Sequence, residues 1–457
     1  VPLDDVAALA AQVRAGERSA VDVVEEHLER IRSGDRDVAA FVLVDDAAAL
    51  REARRRDGEQ ARGAPCGPLH GVPFAVKDLI DVRGWPTRAH SWMLTDRGAS
   101  GDAAIVAALR RAGAIPLGKL ALQEFGIGAD EDATPWPPAR NPWDTERTAG
   151  GSSSGAGAAV AAGLVPLAVG TDTGGSVRLP AALCGVVGLK PTYGRVDVGG
   201  VIPLAPSLDH VGWLTRSAHD ARLVLDAVTG DGRARAGQPA APGGLRLGVL
   251  RHFFERDVVA GAETRAAIDA ALGVLDGLGV HVVDVETRPA QVYRRCGATL
   301  LGFEAHAVHR HRLATAAGSY GAATRAALER GARVSLEQHA AADRERARLR
   351  ADLAALMSDQ EIDVLVTGVA PEPAWRIGDR AAARRAGDGA MRMAFNVLGL
   401  PALALPAGVG AGGLPLGFQI AARPGCDALV LDVARAFQEA TSWHLRTPPR
   451  APAVPSV

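Results

Sequence analysis

Between Gly150 and Pro180 the chain reads GGSSSGAGAAVAAGLVPLAVGTDTGGSVRLP, and serines set among glycines occur in it twice. Glycines beside Ser152, Ser153, Ser154 and Ser176 permit positive φ and let the backbone approach a ligand closely. A flexible Gly/Ser linker would not contain the apolar run between the two loops. That run reads as a short helix followed by a buried strand ending near Val169. A strand leading into Thr171-Asp172-Thr173-Gly174-Gly175-Ser176 offers several consecutive N–H groups at one point, the geometry of an anion nest or oxyanion hole. The chemistry open to such a stretch is nucleophilic attack by a serine, and it requires a base.

The lysines supply candidates for that base. Of 51 basic residues only Lys77, Lys119 and Lys190 are lysine. Arginine cannot lose its proton in a protein, whereas a buried lysine can, so positions that keep lysine in so arginine-rich a chain are candidate neutral amines. A plain ion pair or backbone clamp should account for at least two of the three. Lys77 lies in FAVKDLIDV, which reads as an apolar strand able to bury it.

Three other patterns resemble sites and are set aside. Gly151 to Gly155 fits G-x-S-x-G with Ser153 central, but a nucleophile elbow follows an apolar strand and RNPWDTERTAG reads as loop. Gly408 to Gly413 fits G-x-G-x-x-G, yet Pro415 stands where a phosphate-binding helix would begin. His306, His309 and His311 suggest a metal cluster, but 309 and 311 point to different helix faces and no second ligand group is spaced to join them, so they are expected to be solvated.

The 457 residues are 47% hydrophobic and 23% charged, with formal net charge −1. That balance allows a large core and gives no basic stripe for nucleic acid. Cys66, Cys184, Cys296 and Cys426 are far apart with no CxxC pair, as in a reducing compartment. No basic-then-apolar leader is visible, and prolines and glycines break the uncharged run from 393 to 422, so a cytoplasmic chain without a membrane helix is expected.

Helical spacing is read at residues 4–33, with Ser19 as an N-cap, and at 45–57. Strands and helices then alternate, implying a mostly parallel sheet covered on both faces. Residues 1–60 are expected to form N-terminal helices and 61–230 a catalytic core. Residues 231–244 read as a linker loop. Residues 245–457 complete the sheet and include a variable helical region at 289–357. All of these are expected to belong to a single domain.

Together, Gly150 through Ser176-Val177-Arg178-Leu179-Pro180, the block GVPFAVKD and the block CGVVGLKPTYGR make the chain resemble the amidase signature family. The resemblance extends from about residue 5 to 445 and is weakest between 255 and 360. It implies an α/β fold with one large mixed β-sheet flanked by helices on both faces, and a Ser-cisSer-Lys triad. In that triad Ser176 is the acylated nucleophile, Ser152 the bridging serine in a cis peptide after Gly151, and Lys77 the base. Thr173, Gly174, Gly175 and Ser176 would donate to the oxyanion. Gly151, Ser153, Asp172 and Arg178 would brace the loops, while Gly126, Ile127 and Gly128 would contact substrate.

The implied reaction is hydrolysis of a carboxamide to an acid and ammonia or an amine, with no metal or other cofactor. A small-molecule amide is the expected partner, without nucleic acid or membrane, and a homodimer is left open. The alternatives are the glutaminase subunit of a transfer-RNA-dependent amidotransferase, a urea-type (allophanate or biuret) amidohydrolase, and a non-catalytic binding protein. Two departures bear on substrate. ADEDATPWPPAR follows Gly128 where relatives commonly have a Ser/Thr-Glu-Asn run, and His210 stands in SLDHVG where threonine is usual.

Overall fold

A computed structural model describes residues 5–94, 98–130, 133–230, 242–387 and 389–449. Of the expected linker at 231–244, residues 231–241 lie outside the described residues, as do 131 and 132 of the variable segment after Gly128. The strands are β1 (Phe41–Val44), β2 (Pro73–Lys77), β3 (Ile115–Leu120), β4 (Arg140–Asn141), β5 (Asp144–Thr148), β6 (Leu167–Thr171) and β7 (Val187–Lys190). There follow β8 (Val211–Thr215), β9 (Arg246–Val249), β10 (His281–Asp284), β11 (Val364–Gly368), β12 (Ala402–Val409) and β13 (Pro415–Ala422).

Eleven of these form one sheet in the order β1-β3-β2-β6-β8-β7-β12-β13-β11-β9-β10, while β4 and β5 pair separately. β2 runs parallel to β3 and to β6, whereas β8 lies antiparallel to both β6 and β7. The sheet is therefore mixed, not the mostly parallel one that the alternation of elements implies. Periodicity misses β1 and β8, and β4 and β5 lie within RNPWDTERTAG, which reads as loop; VGWLT of β8 is short and directly follows a loop. Strands β2, β3, β6, β7 and β8 are buried along their whole length, as expected of a sheet covered on both faces.

The N-terminal periodicity resolves into two helices, Val6–Ala15 and Ala20–Val38, the second capped by Ser19. Their apolar stripe, Val6, Leu9, Val13, Val23, Val24 and Leu28, is buried against the core. The strand expected over FAVKDLIDV stops at Lys77, and Val201 to Leu204 contributes only an isolated bridge from Val201 to Ile80. The helical region after residue 289 comprises Ala290–Ala316, Ala322–Gly331 and Leu336–Asp359. Among the described residues no helix is long and apolar enough to cross a membrane.

Candidate active site

β2 and β6 are parallel neighbours, with Val76 in register with Val169, so both deliver their C-terminal ends to one edge of the sheet. Ligands of open α/β sheets characteristically bind outside such strand ends. Lys77 ends β2 and Thr171 ends β6. The chain then turns through Asp172 to Val177 before the helix Arg178–Cys184, and the other serine loop leads into the helix Ser154–Ala161.

Lys77 is fully buried, and its Nζ donates to Ser152 Oγ at 2.7 Å and to Thr171 Oγ1 at 2.8 Å. Burial lowers its pKa to about 7, against the opposing pull of the Asp172 and Asp209 charges. A group so placed exchanges protons near neutrality. The peptide bond between Gly151 and Ser152 is cis. A Cβ at 151 would lie 2.2 Å from Gln123 Oε1, so a side chain there would have to displace the Gln123 amide.

The loop ahead of Ser176 is held by a buried ion pair. Asp172 accepts from the N–H groups of Gly175 (2.8 Å) and Val177 (3.1 Å), from Arg178 Nε and Nη2 (both 3.1 Å) and from Asn396 Nδ2 (2.8 Å). Burial alone would raise its pKa, but Arg178, Lys190 and Asn396 together hold it far below the usual carboxylate range. Arg178 is also fully buried, and its remaining donors go to Gln419 Oε1, Asn396 Oδ1 and the Arg392 carbonyl. A pair with every partner satisfied tolerates this burial; losing one member would strand the other.

These bonds alter the expected donor set. The Gly175 N–H is committed to Asp172, whereas those of Thr173, Gly174 and Ser176 have no partner among the described residues. Thr173 is fixed by its hydroxyl, which donates to Asp209 Oδ1 at 2.6 Å. Ser176 opens onto a cavity of about 260 Å3, whose walls include Ser152, Gln123, Asp130, Trp375 and Arg392. Gly126, Ile127 and Gly128 line it as well. Ser153 does not. It is fully buried, with its Oγ donating to the Thr171 carbonyl at 3.1 Å and accepting from the Thr171 N–H at 3.3 Å, so it ties the two loops together.

The other two lysines have different surroundings. Lys119 pairs with Asp78 at 2.8 Å and donates to Thr87 Oγ1. Lys190 donates to the carbonyls of Leu400 and Pro191, and burial lowers its pKa to about 7 too. Position, not acidity, separates it from Lys77. Sequence reasoning missed Thr171, Asp209, Asn396 and Gln419 as parts of this network. Asp209 sits in the SLDH motif next to the flagged His210, whereas no local signal marks Asn396 or Gln419.

Two set-aside patterns also acquire explanations. Gly408 and Val409 end β12, and Gly410 to Gly413 belong to the turn into β13. His309 corrects the expectation of three solvated histidines: it is 1% exposed, lies 2.8 Å from the Tyr320 hydroxyl and packs edge-on against Phe125. Among the described residues no group of three histidine, cysteine or acidic side chains is placed to hold a metal ion.

Comparison with known proteins adds a family and a correction. A glutamyl-tRNA(Gln) amidotransferase subunit from Ralstonia nicotianae is 35% identical, with 96% of this chain and 98% of that protein covered. A solved structure described as a vestigial protein complex that reveals the origins of an s-triazine catabolic enzyme superposes with TM-score 0.86 at 34% identity, covering 95% of this chain and 98% of that one. The 6-aminohexanoate cyclic dimer hydrolase, solved with its substrate, gives TM-score 0.85 at 29% identity and covers 98% of each chain.

These relatives overturn the expectation that a small amide, with at most a second copy of the chain, is the full set of partners. One is by name part of a multi-subunit enzyme, and another stands in a protein complex. The physical reason is that one chain's sequence reports which side chains are buried within it, while an interface is exposed until its partner arrives. The Amidase family model matches residues 22–431, and this chain belongs to the amidase signature family.

Proposed function

We propose that the chain cleaves a carboxamide through an acyl-enzyme on Ser176, with Ser152 and Lys77 as the proton relay. The observation that carries this reading is the buried Lys77, with its pKa lowered to about 7, within hydrogen-bonding distance of Ser152 beside the Ser176 loop. Neutral Lys77 draws a proton from Ser152 as Ser152 takes one from Ser176, whose Oγ attacks the carbonyl carbon. The oxyanion meets the N–H groups of Thr173, Gly174 and Ser176, which have no partner among the described residues. The proton returns along the same relay to the leaving nitrogen. Water then releases the acid. Asp172 and Arg178 act on the reaction only by holding the loop.

Two roles share this chemistry. The curated relatives favour the first, in which glutamine is the amide and the chain is the amide-cleaving subunit of a transfer-RNA-dependent amidotransferase, working with partner subunits. The segment after Gly128 favours the second, a hydrolase of another small amide. It brings Asp130 to the cavity wall, where it accepts from Gln123 Nε2 at 3.1 Å and from Thr148 Oγ1 at 2.7 Å. The test is ammonia release from glutamine and from a panel of aliphatic, aromatic and urea-type amides, by the chain alone and with co-expressed amidotransferase partners. Glutamine turnover that needs the partners supports the first role; turnover of another amide by the chain alone supports the second. No ammonia in either arm overturns the reading.

A further inference from the structure

A second, smaller cavity borders Ser152 and Thr171, the two hydroxyls to which Lys77 is bonded. It measures about 50 Å3 and is lined by Ser152, Thr171, Thr173, Asp209 and His210 against apolar side chains that include Phe125. Ser152 and Gly126 border both this cavity and the larger one that holds Ser176.

The hydrogen-bond accounting of His210 sets what this cavity can hold. Its Nδ1 lies 2.7 Å from the Leu208 carbonyl and 3.2 Å from that of Asp172. Both oxygens only accept, so the ring proton sits on Nδ1 and Nε2 keeps its lone pair. The ring is 4% exposed, and burial with the nearby Lys190 cation holds its pKa well below the ordinary histidine value, so it is neutral. Nε2 is a buried acceptor without a protein partner. Buried acceptors are almost always satisfied, by water where protein is absent.

Size selects the occupant. A cavity of about 150 Å3 holds benzene, and one of about 10–15 Å3 suffices for a water molecule. At about 50 Å3 this space is too small for a group the size of benzene and admits water. Its hydroxyls provide the further partners that a buried water needs.

We propose that this cavity is a water site in which His210 Nε2 accepts from the first water, and that the site supplies the water that hydrolyses the acyl-enzyme. The second part rests on the acyl-enzyme reading above. In that step the water oxygen bonds to the acyl carbon, and a water proton passes to Ser152 as Ser152 gives its own to Lys77. The bond from the acyl carbon to Ser176 Oγ breaks, and the proton on Lys77 returns through Ser152 to Ser176. The acid leaves, and the relay is restored. His210 touches no reacting atom and is a positioning residue.

The experiment uses p-nitrophenyl acetate as acyl donor, with hydroxylamine competing against water for the acetyl-enzyme of the full chain. In His210→Leu the ratio of hydroxamate to acetate should rise about tenfold, while the nitrophenolate burst that reports acylation stays within about twofold. His210→Gln, which again offers an acceptor oxygen, should bring the ratio back to within about threefold of wild type. An unchanged ratio in His210→Leu, or equal ratios in both variants, overturns the role in hydrolysis. A high-resolution crystal structure of the wild type decides the site itself even if the variants do not fold. Density for water within hydrogen-bonding reach of Nε2 is expected, and a dry cavity overturns the site. Absence of a burst in the wild type would instead sink the acyl-enzyme reading.

Discussion

At the scale of single residues, two fully buried lysines share a lowered pKa, and only their neighbours distinguish them. Lys77 faces hydroxyls beside Ser176, whereas Lys190 faces carbonyls that cannot pass on a proton. If neutral Lys77 is the base, activity is lost as pH falls. With its pKa at about 7, kcat/KM should drop about tenfold per unit well below that value and level off above it. A pH profile without an inflection near neutrality would count against this role. Lys77→Arg keeps the charge but cannot deprotonate, so turnover per folded molecule should fall by about 10²–10⁴-fold. Lys190→Met strips the bonds from two buried carbonyls. It should lower Tm while sparing turnover per folded molecule, measured by thermal melts alongside activity. Ser176→Ala should abolish labelling by a serine-directed phosphonate, whereas Ser153→Ala should keep the label on Ser176. Peptide mapping that finds the label on Ser153 would reverse this assignment.

At the scale of elements, the variable helices reach the reaction loop through a short chain of bonds. Glu304, on the helix Ala290–Ala316, accepts from the Ser207 N–H at 2.8 Å and from the Ser207 hydroxyl at 2.6 Å. Two residues on, Asp209 holds Thr173. Glu304→Ala should therefore lower kcat by about tenfold with little change in Tm, because it loosens the segment that fixes Thr173 without opening the core. Steady-state kinetics and a melt check this together, and a large fall in Tm with kcat intact would assign Glu304 to stability alone.

A second junction responds to pH. Asp220, at the start of the helix Ala218–Thr229, accepts from the Ala7 N–H of the first helix. Burial, and then the Asp5 charge, push its pKa up to about 7. A carboxyl whose folded pKa exceeds its unfolded value of about 4 contributes stability that is fully present below about pH 4 and is lost as pH rises through about 7. Asp220→Asn keeps the acceptor and removes the titration. The Tm difference between variant and wild type should therefore grow in the variant's favour from pH 5 to pH 8. A constant difference would show that Asp220 does not titrate in this window.

At the scale of the whole molecule, the site draws on both halves of the chain. Lys77, Ser152 and Ser176 come from the first 176 positions, yet the ion pair that holds the Ser176 loop is completed by Asn396 and Gln419. A fragment ending at residue 230 would leave Arg178 and Asp172 without those partners and expose the edge of β7 that pairs with β12. Such a fragment should neither label with a phosphonate nor melt cooperatively, and specific labelling at Ser176 in it would show that the later half is dispensable for the site.

The sequence by itself determined the parts that local pattern encodes. Scarce lysines in an arginine-rich chain marked three positions that proved fully buried, and glycine-flanked serines marked the two loops. Apolar runs gave most helices and strands, because burial of one face leaves a period in the residues that follow one another. The tertiary structure alone decided which partners those residues meet. Strand order sets Arg178 against Asn396, 218 positions away, and turns the Gly175 N–H inward to Asp172. It also leaves His210 with a buried acceptor beside the relay, a consequence of which carbonyls lie against its other nitrogen. No periodicity carries that information, because a hydrogen bond between distant segments depends on the path of the backbone between them and not on the residues adjacent to either end.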